Sequence, residues 1–411
     1  MACPGTAERL ISSKHMGLPR MNIAALSSAV LLCISTLLAQ SASTPAPEKS
    51  LPPVDAQAIA HRLVTALQPA AGERAIIAYD PGYYPEITHA VELELARAGV
   101  FPVTVLNFDP PDRVSAEPSQ LVAIKRREDT FVATLLPLFQ RAEIFVWMPA
   151  RALPSDVRWE RLIGESHVRG IHFHWIEVLQ GKSAEEIVQR SRLYERAILD
   201  TDYDALSRRQ DALIAALRGH SVHISTPDGT DLRFRVSADA WFHKNDGDIG
   251  PARARLARSV RDREMEFPSG ALRFIPDAAT AQGTLVVAKT PTDSGPAEGV
   301  KIEFAGGRAR PISARTNEAA FLALWKEIGG DVDKLGEIVL GTNPLLATQL
   351  PAGELPYYGY GSGFLRVSLG DNWESGGTNR SPSGRPLWLF LEHATIDADG
   401  VVLVRDGKLL R

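Results

Sequence analysis

Arg263-Glu-Met-Glu-Phe-Pro-Ser-Gly-Ala-Leu-Arg-Phe-Ile-Pro-Asp277, running on to Ala281-Gln-Gly-Thr-Leu-Val-Val287, is a strand, a tight turn and a second strand. Pro268-Ser269-Gly270 makes the turn, because proline fixes φ and glycine admits positive φ. The apolar residues on either side have strand character. A turn between two strands carries the next side chain, Ala271, to the rim of a pocket.

Upstream of this turn, Ser221 to Thr226 and Asp231 to Val236 alternate around Pro227-Asp-Gly-Thr230, which predicts a β-hairpin opening a second domain. The helical periodicity from Ala184 to Leu217, with mixed charges, predicts a connecting helical pair with one solvated face. Further back, the spacing of Ile59, Leu63, Val64 and Leu67 predicts a helix over Ala56 to Leu67. Ala75 to Ala78 is a strand, Glu86 to Ala98 a helix stopped by Gly99, and Pro102 to Leu106 a second strand. Strand, helix and strand at this spacing pair in parallel through a crossover. Phe131 to Phe139 continues as helix, Ile144 to Trp147 as a third strand and Ile171 to Trp175 as a fourth. The expected architecture is an α/β N-terminal domain, 56–218, with a small doubly wound parallel sheet, and an α+β C-terminal domain, 219–411, with mostly antiparallel sheet.

A chain of 411 residues with 45% hydrophobic content can bury two cores. Its net charge of −4 and 7% aromatic content give neither a basic face nor a stacking surface for nucleic acid. Asp80-Pro-Gly-Tyr-Tyr-Pro85 after the first strand has no glycine fingerprint and no phosphate-loop lysine, which argues against a nucleotide site. Gly-x-Ser-x-Gly is absent, and both cysteines, Cys3 and Cys33, lie near the N-terminus. Lys14 and Arg20 precede the apolar run Ile23 to Leu38, and Ala39-Gln-Ser41 supplies small residues for cleavage. Residues 1–43 are therefore expected to be a secretory signal, with Met16 or Met21 as an alternative start and a membrane anchor as the competing reading. The mature chain would be periplasmic or extracellular, without a thiol and without a membrane span. Residues 44–55, rich in proline, are expected to be a disordered linker.

Several of these motifs together resemble the aminopeptidase T family of metallo-aminopeptidases. Gly72-Glu-Arg74 precedes the first strand, Gly229-Thr-Asp-Leu232 opens the second domain, and Pro268-Ser-Gly270 is followed by Phe274, Pro276 and Gly283-Thr284. Lys334-Leu-Gly-Glu337 follows, so the resemblance runs from about Ala56 to Lys408. It rests on order and spacing, since no single motif is specific. The family binds divalent metal (zinc, cobalt or manganese), removes N-terminal residues from peptides, and forms a homodimer around an inner cavity; these are the expectations the resemblance carries.

Carried over position by position, the ligand set is depleted. The family's first glutamate falls on Ala271, which cannot bind metal, while its Leu-Gly-Glu glutamate is retained as Glu337. Its histidine falls on Arg366, in Arg366-Val-Ser-Leu-Gly370, and its His-x-Asp strand fits best on Leu387-Trp-Leu389. Its site tyrosine corresponds to Tyr357, Tyr358 or Tyr360. Two co-catalytic ions about 3.5–4 Å apart need five or six carboxylate, imidazole or phenol ligands converging on them. One carboxylate does not suffice, so no cofactor is expected, and Arg366 is expected to pair with Glu337 in place of an ion. The polar loop Asp371-Asn-Trp-Glu-Ser-Gly-Gly-Thr-Asn379 offers Asp371, Asn372, Glu374 and Asn379 as pocket candidates. His393 is a minor metal candidate, and His172 with His174, or His220 with His223, lack a third ligand.

Three functions follow. The first is an exported aminopeptidase T-like protein with a degenerate metal site that binds a peptide or other small molecule. The second is an active metallo-aminopeptidase with a rearranged set drawn from Glu337, Asp371, Glu374, His393 and a tyrosine. The third is a structural envelope protein. The related iron-dependent ring-cleaving dioxygenases of the superfamily also need histidine and carboxylate ligands that this sequence does not display.

Overall fold

A computed structural model describes residues 52–79, 84–107, 130–148, 159–173, 183–347 and 357–410. The expected signal, and the linker up to position 51, lie outside them. The end of the linker packs: Val54 lies against the core and the Asp55 carboxylate accepts from Ala58 N at 2.9 Å, capping the first helix, Ala56–Leu67.

The first sheet is parallel, in the order β2-β1-β3-β4-β8: β1 is Ala75–Tyr79, β2 Val103–Asn107, β3 Ile144–Met148, β4 Arg169–Phe173 and β8 Glu264–Phe267. Alternate side chains on these strands go to opposite faces. Ala75 and Ile77 with Ile144, Val146, Ile171, Met265 and Phe267 meet the helices Ala56–Leu67, Pro85–Arg97 and Ala184–Leu199. Ile76 and Ala78 with Phe145 and Trp147 meet Phe139 and the short helix Trp159–Gly164 on the other side. Helices on both faces make the layer doubly wound, as the sequence predicts. Its last strand comes from far down the chain, beyond position 219.

The remainder is antiparallel. An eight-stranded sheet has the order β12-β11-β10-β6-β5-β16-β17-β18. It contains β5 Ser221–Ser225, β6 Asp231–Arg235, β10 Asp277–Thr290, β11 Ala297–Ala305, β12 Arg308–Ser313, β16 Thr395–Ala398, β17 Val401–Arg405 and β18 Lys408–Leu409. A five-stranded sheet has the order β15-β14-β13-β9-β7, with β7 Phe242–Asn245, β9 Ala271–Phe274, β13 Leu335–Gly341, β14 Leu365–Gly370 and β15 Pro386–Leu391. The two share one apolar core, to which the helix Glu318–Ile328 adds Phe321 and Ile328. Among the described residues no helix is long and apolar enough to cross a membrane.

The turn at Pro268-Ser-Gly270 joins the parallel sheet to the five-stranded one. Gly270 has φ of 151°, and a Cβ there would meet the Cβ of Asn343 at 2.4 Å, so glycine is required. Its carbonyl accepts from Thr342 N at 2.7 Å, pinning the turn to the end of β13. This junction sets β8 and β9 beside β13 and β14, and the candidate site lies there.

Candidate functional site

On β8 the period of two sends Met265 and Phe267 into the core and Glu264 and Glu266 to the opposite side. On the five-stranded sheet, register puts Arg273, Val339 and Arg366 in one row across β9, β13 and β14, with Glu337 beside Ser368 in the next. Their neighbours Leu272, Ile338, Leu340, Leu365 and Val367 face the antiparallel core instead. One face is thus apolar, and the other carries two arginines around a glutamate.

The charges are buried and paired. Arg366 is 1% exposed, Arg273 4% and Glu337 6%, so each charge depends on protein partners rather than water. Glu337 accepts at Oε2 from Arg366 Nη2 at 3.3 Å and at Oε1 from the Ser375 hydroxyl at 2.7 Å, with Arg273 Nη1 3.6 Å from Oε1. Arg273 donates to Glu266 Oε2 at 2.8 Å and to the Tyr360 hydroxyl, and Tyr360 donates to Glu266. Arg261 holds Glu264 at 2.5 Å, lies 3.4 Å from Glu266 and donates to Glu374. His172, stacked on Trp147 with ring centroids 3.8 Å apart, places Nδ1 3.2 Å from Glu264. Three guanidiniums, Arg261, Arg273 and Arg366, therefore face four carboxylates, Glu264, Glu266, Glu337 and Glu374.

Proton affinities follow from this packing. Burial works against ionising Glu337, yet Arg273 and then Arg366 outweigh it and hold the carboxyl below its usual range. Glu264 is also desolvated, but Arg261 and His172 bring it down to about 2. Burial, with Glu374 and Glu264 nearby, pushes Glu160 up to about 8. Burial raises the Tyr360 phenol. Arg273 gains from Glu266, Tyr360 and Glu337 more than burial costs it, so its proton is held more tightly than usual. Arg366 shifts down, through burial and then repulsion from Arg273.

The candidates named from sequence divide into two groups. Glu337, Arg366, Ala271, Tyr360 and Glu374 belong to this face or its network. Asp371 instead shapes its own loop, accepting from Trp373 N and Ser381 N, while Asn372 and Asn379 tie that loop to β13 by donating to Gly336 O and Leu335 O. Tyr358 lies half-buried, edge-on to Trp388 at 5.6 Å. The side chain of Tyr357 and all of His174 lie outside the described residues. His393 is exposed in the β15–β16 turn with Nδ1 3.0 Å from Asp406. His220 and His223 make their own pairs, with Asp399 at 2.7 Å and with Asp231 at 2.8 Å.

One register needs correction. Leu387 and Leu389 pair with Leu369 and Val367 and point into the apolar core, so they do not occupy the site face. Trp388 and Phe390 do, and neither can ligate metal. The Trp388 ring lies 4.5 Å from the Arg366 Cζ. Sequence reasoning missed Arg261, Arg273, Glu264, Glu266 and Ser375. The available signal was Arg273 alone in the apolar strand Ala-Leu-Arg-Phe, and Glu264 and Glu266 at alternate positions of a short strand.

The donor set does not fit a pair of ions. Glu337 and Glu266 already accept from guanidiniums, which never deprotonate and cannot ligate. Among the described residues no three His, Cys, Asp or Glu side chains converge so as to hold a metal ion.

This architecture has solved counterparts. The chain is similar in structure to 2,5-dihydroxypyridine dioxygenase from Pseudomonas putida KT2440, with TM-score 0.58 and 18% identity over 86% of this chain and 96% of that one. It is also similar to wild-type AmpT, the aminopeptidase T of Thermus thermophilus, with TM-score 0.56 and 16% identity over 86% of this chain and 99% of that one. No protein-family model and no curated protein matches the sequence. At these identities the likeness establishes an aminopeptidase-like fold, an α/β layer followed by α+β, and leaves the chemistry to the site.

Proposed function

We propose that this protein is an exported, non-hydrolytic member of the aminopeptidase-like fold that binds a small molecule at the face carrying Glu337, Arg273 and Arg366. The observation that carries the reading is Glu337 enclosed by Arg366, Arg273 and Ser375. A peptidase of this type needs carboxylates free to bridge cations and activate water. Here fixed guanidiniums supply the positive charge, so the carboxylates remain satisfied without an ion. The nearby Tyr360 phenol is engaged with Glu266 and Arg273.

The test is metal content and turnover in one preparation. Protein lacking the first 41 residues, dialysed in turn against zinc, manganese, cobalt and iron, is expected to retain much less than one ion per chain. It is expected to release no amino acid from short peptides. Retention of one or two ions with aminopeptidase turnover would overturn the reading in favour of an active metallo-aminopeptidase. A homodimer, expected from the resemblance, is checked on the same preparation by sedimentation.

A further inference from the structure

Arg261 and Arg273 each engage two or more protein acceptors, but Arg366 does not. Among the described residues its one hydrogen bond is the 3.3 Å contact from Nη2 to Glu337, a carboxylate it shares with Arg273 and Ser375. A guanidinium has five N–H donors in a planar fork. The Nε of Arg366, like those of Arg261 and Arg273, is buried without a hydrogen-bond partner, and so is the Ser368 hydroxyl two residues along the same face of β14. Such donors, buried in a native structure, call for an acceptor. Ser368 stands opposite Trp388, which is 37% exposed and roofs Arg366 at 4.5 Å, with Tyr358 against its edge. The donors thus lie enclosed beneath an aromatic ring whose outer side is exposed, so a ligand reaches them only when Trp388 moves aside. Their charge favours an anion, and the planar fork favours two coplanar oxygens.

We propose that Arg366 and Ser368 bind the carboxylate of a small organic acid, whose flat apolar body lies against Trp388. The inference rests on the proposed binding role and specifies its ligand class. No covalent step is involved. The existing Glu337–Arg366 contact orients the guanidinium, while its Nε edge and the serine hydroxyl receive the ligand.

Calorimetric titration of the metal-free protein at constant ionic strength tests this, with benzoate, its neutral isostere benzamide, acetate and inorganic phosphate as probes. Benzoate should bind, acetate more weakly for lack of a ring, and benzamide not detectably. Arg366→Lys, which keeps the charge but loses the fork, should weaken benzoate binding by about tenfold or more. Ser368→Ala should weaken it by a factor of about 5, and Trp388→Leu should remove the advantage of benzoate over acetate. These two variants decide the matter if the lysine variant does not fold. Equal binding of benzoate and benzamide, no binding of either, or an unchanged affinity in both Arg366→Lys and Ser368→Ala would overturn the proposal. Tighter binding of phosphate would replace the carboxylate by a tetrahedral anion and overturn it too. Metal retention and peptide turnover, measured on the same sample, separate the two readings. A metal-free, inactive protein that ignores benzoate refutes the carboxylate site alone, while a metal-loaded, active one refutes the functional reading beneath it.

Discussion

The two faces of the five-stranded antiparallel sheet are built from the same strands by alternate residues, and they are held by different physics. Leu272, Phe274, Ile338, Leu340, Leu365, Val367, Leu389 and Leu391 make one face, whose burial is favourable wherever the area is covered. Arg273, Glu337 and Arg366 make the other, where burial is costly unless each charge finds its partner. The apolar face tolerates small misfits, whereas the charged face depends on a particular set of neighbours brought from β8 and from the 371–379 loop. A buried charge set that is so costly to assemble is the feature that most distinguishes this sheet.

The largest effect should come from breaking the charged face at its most shared cation. Arg273→Met leaves Glu266 and Glu337 each short of a partner and should cost about 3–5 kcal/mol in denaturant unfolding. On the apolar face, Leu365→Ala should cost about 2–5 kcal/mol through cavity formation. Acid distinguishes the two. Glu264 and Glu337 have folded-state affinities below the ordinary 4.5, so their contribution is present above that value and fades as pH falls toward 2. The cost of Arg273→Met should shrink on acidification from pH 6 to 3, and that of Leu365→Ala should not. Equal pH dependence in both would show that the carboxylates do not depend on Arg273.

A smaller effect is expected from Ser375→Ala, which removes the 2.7 Å hydroxyl bond to Glu337 while leaving both arginines, at about 1.5–2 kcal/mol. The smallest concerns Glu160, with opposite sign. Its carboxyl keeps a proton in the fold up to about pH 8 that the unfolded chain releases near 4.5, so the protein should lose stability as pH rises between those values. Glu160→Gln should therefore stabilise at pH 8 by about 1 kcal/mol, discounted for partial exposure, and by less at pH 5. A melting temperature unchanged at both would refute the raised affinity.

Much of the fold was legible because it is written in local periodicity. The helix Ala56–Leu67 has the predicted bounds, and β1, β2 and β3 lie within one residue of theirs at each end. The β5–β6 hairpin follows from its Asp-Gly turn. The site was partly legible: Glu337 and Arg366 stood out against a motif, whereas Arg261 lies in an irregular approach to β8 with no pattern around it. Glu264 and Glu266 were hidden by their strand's apparent place in the second half of the chain, although it completes the first sheet. The two acids of the 371–379 loop part ways: Glu374 reaches Arg261, whereas Asp371 hydrogen-bonds backbone of its own loop and of the turn after it, a common alternative to ligand contact for such residues.

By itself, then, the sequence determined which stretches alternate and where the chain turns. Those facts depend on residue identity and spacing, which a linear pattern preserves. Only the tertiary structure decided that β8 crosses to the parallel sheet, that Trp388 rather than Leu387 or Leu389 shares the face of Arg366, and that Arg273 joins Glu337 from a strand more than sixty positions earlier. A one-residue shift in register sends every side chain of a strand to the other face, and long-range pairing of charges leaves no periodic trace. The identity of the site's cation therefore had to be read from which strands lie side by side.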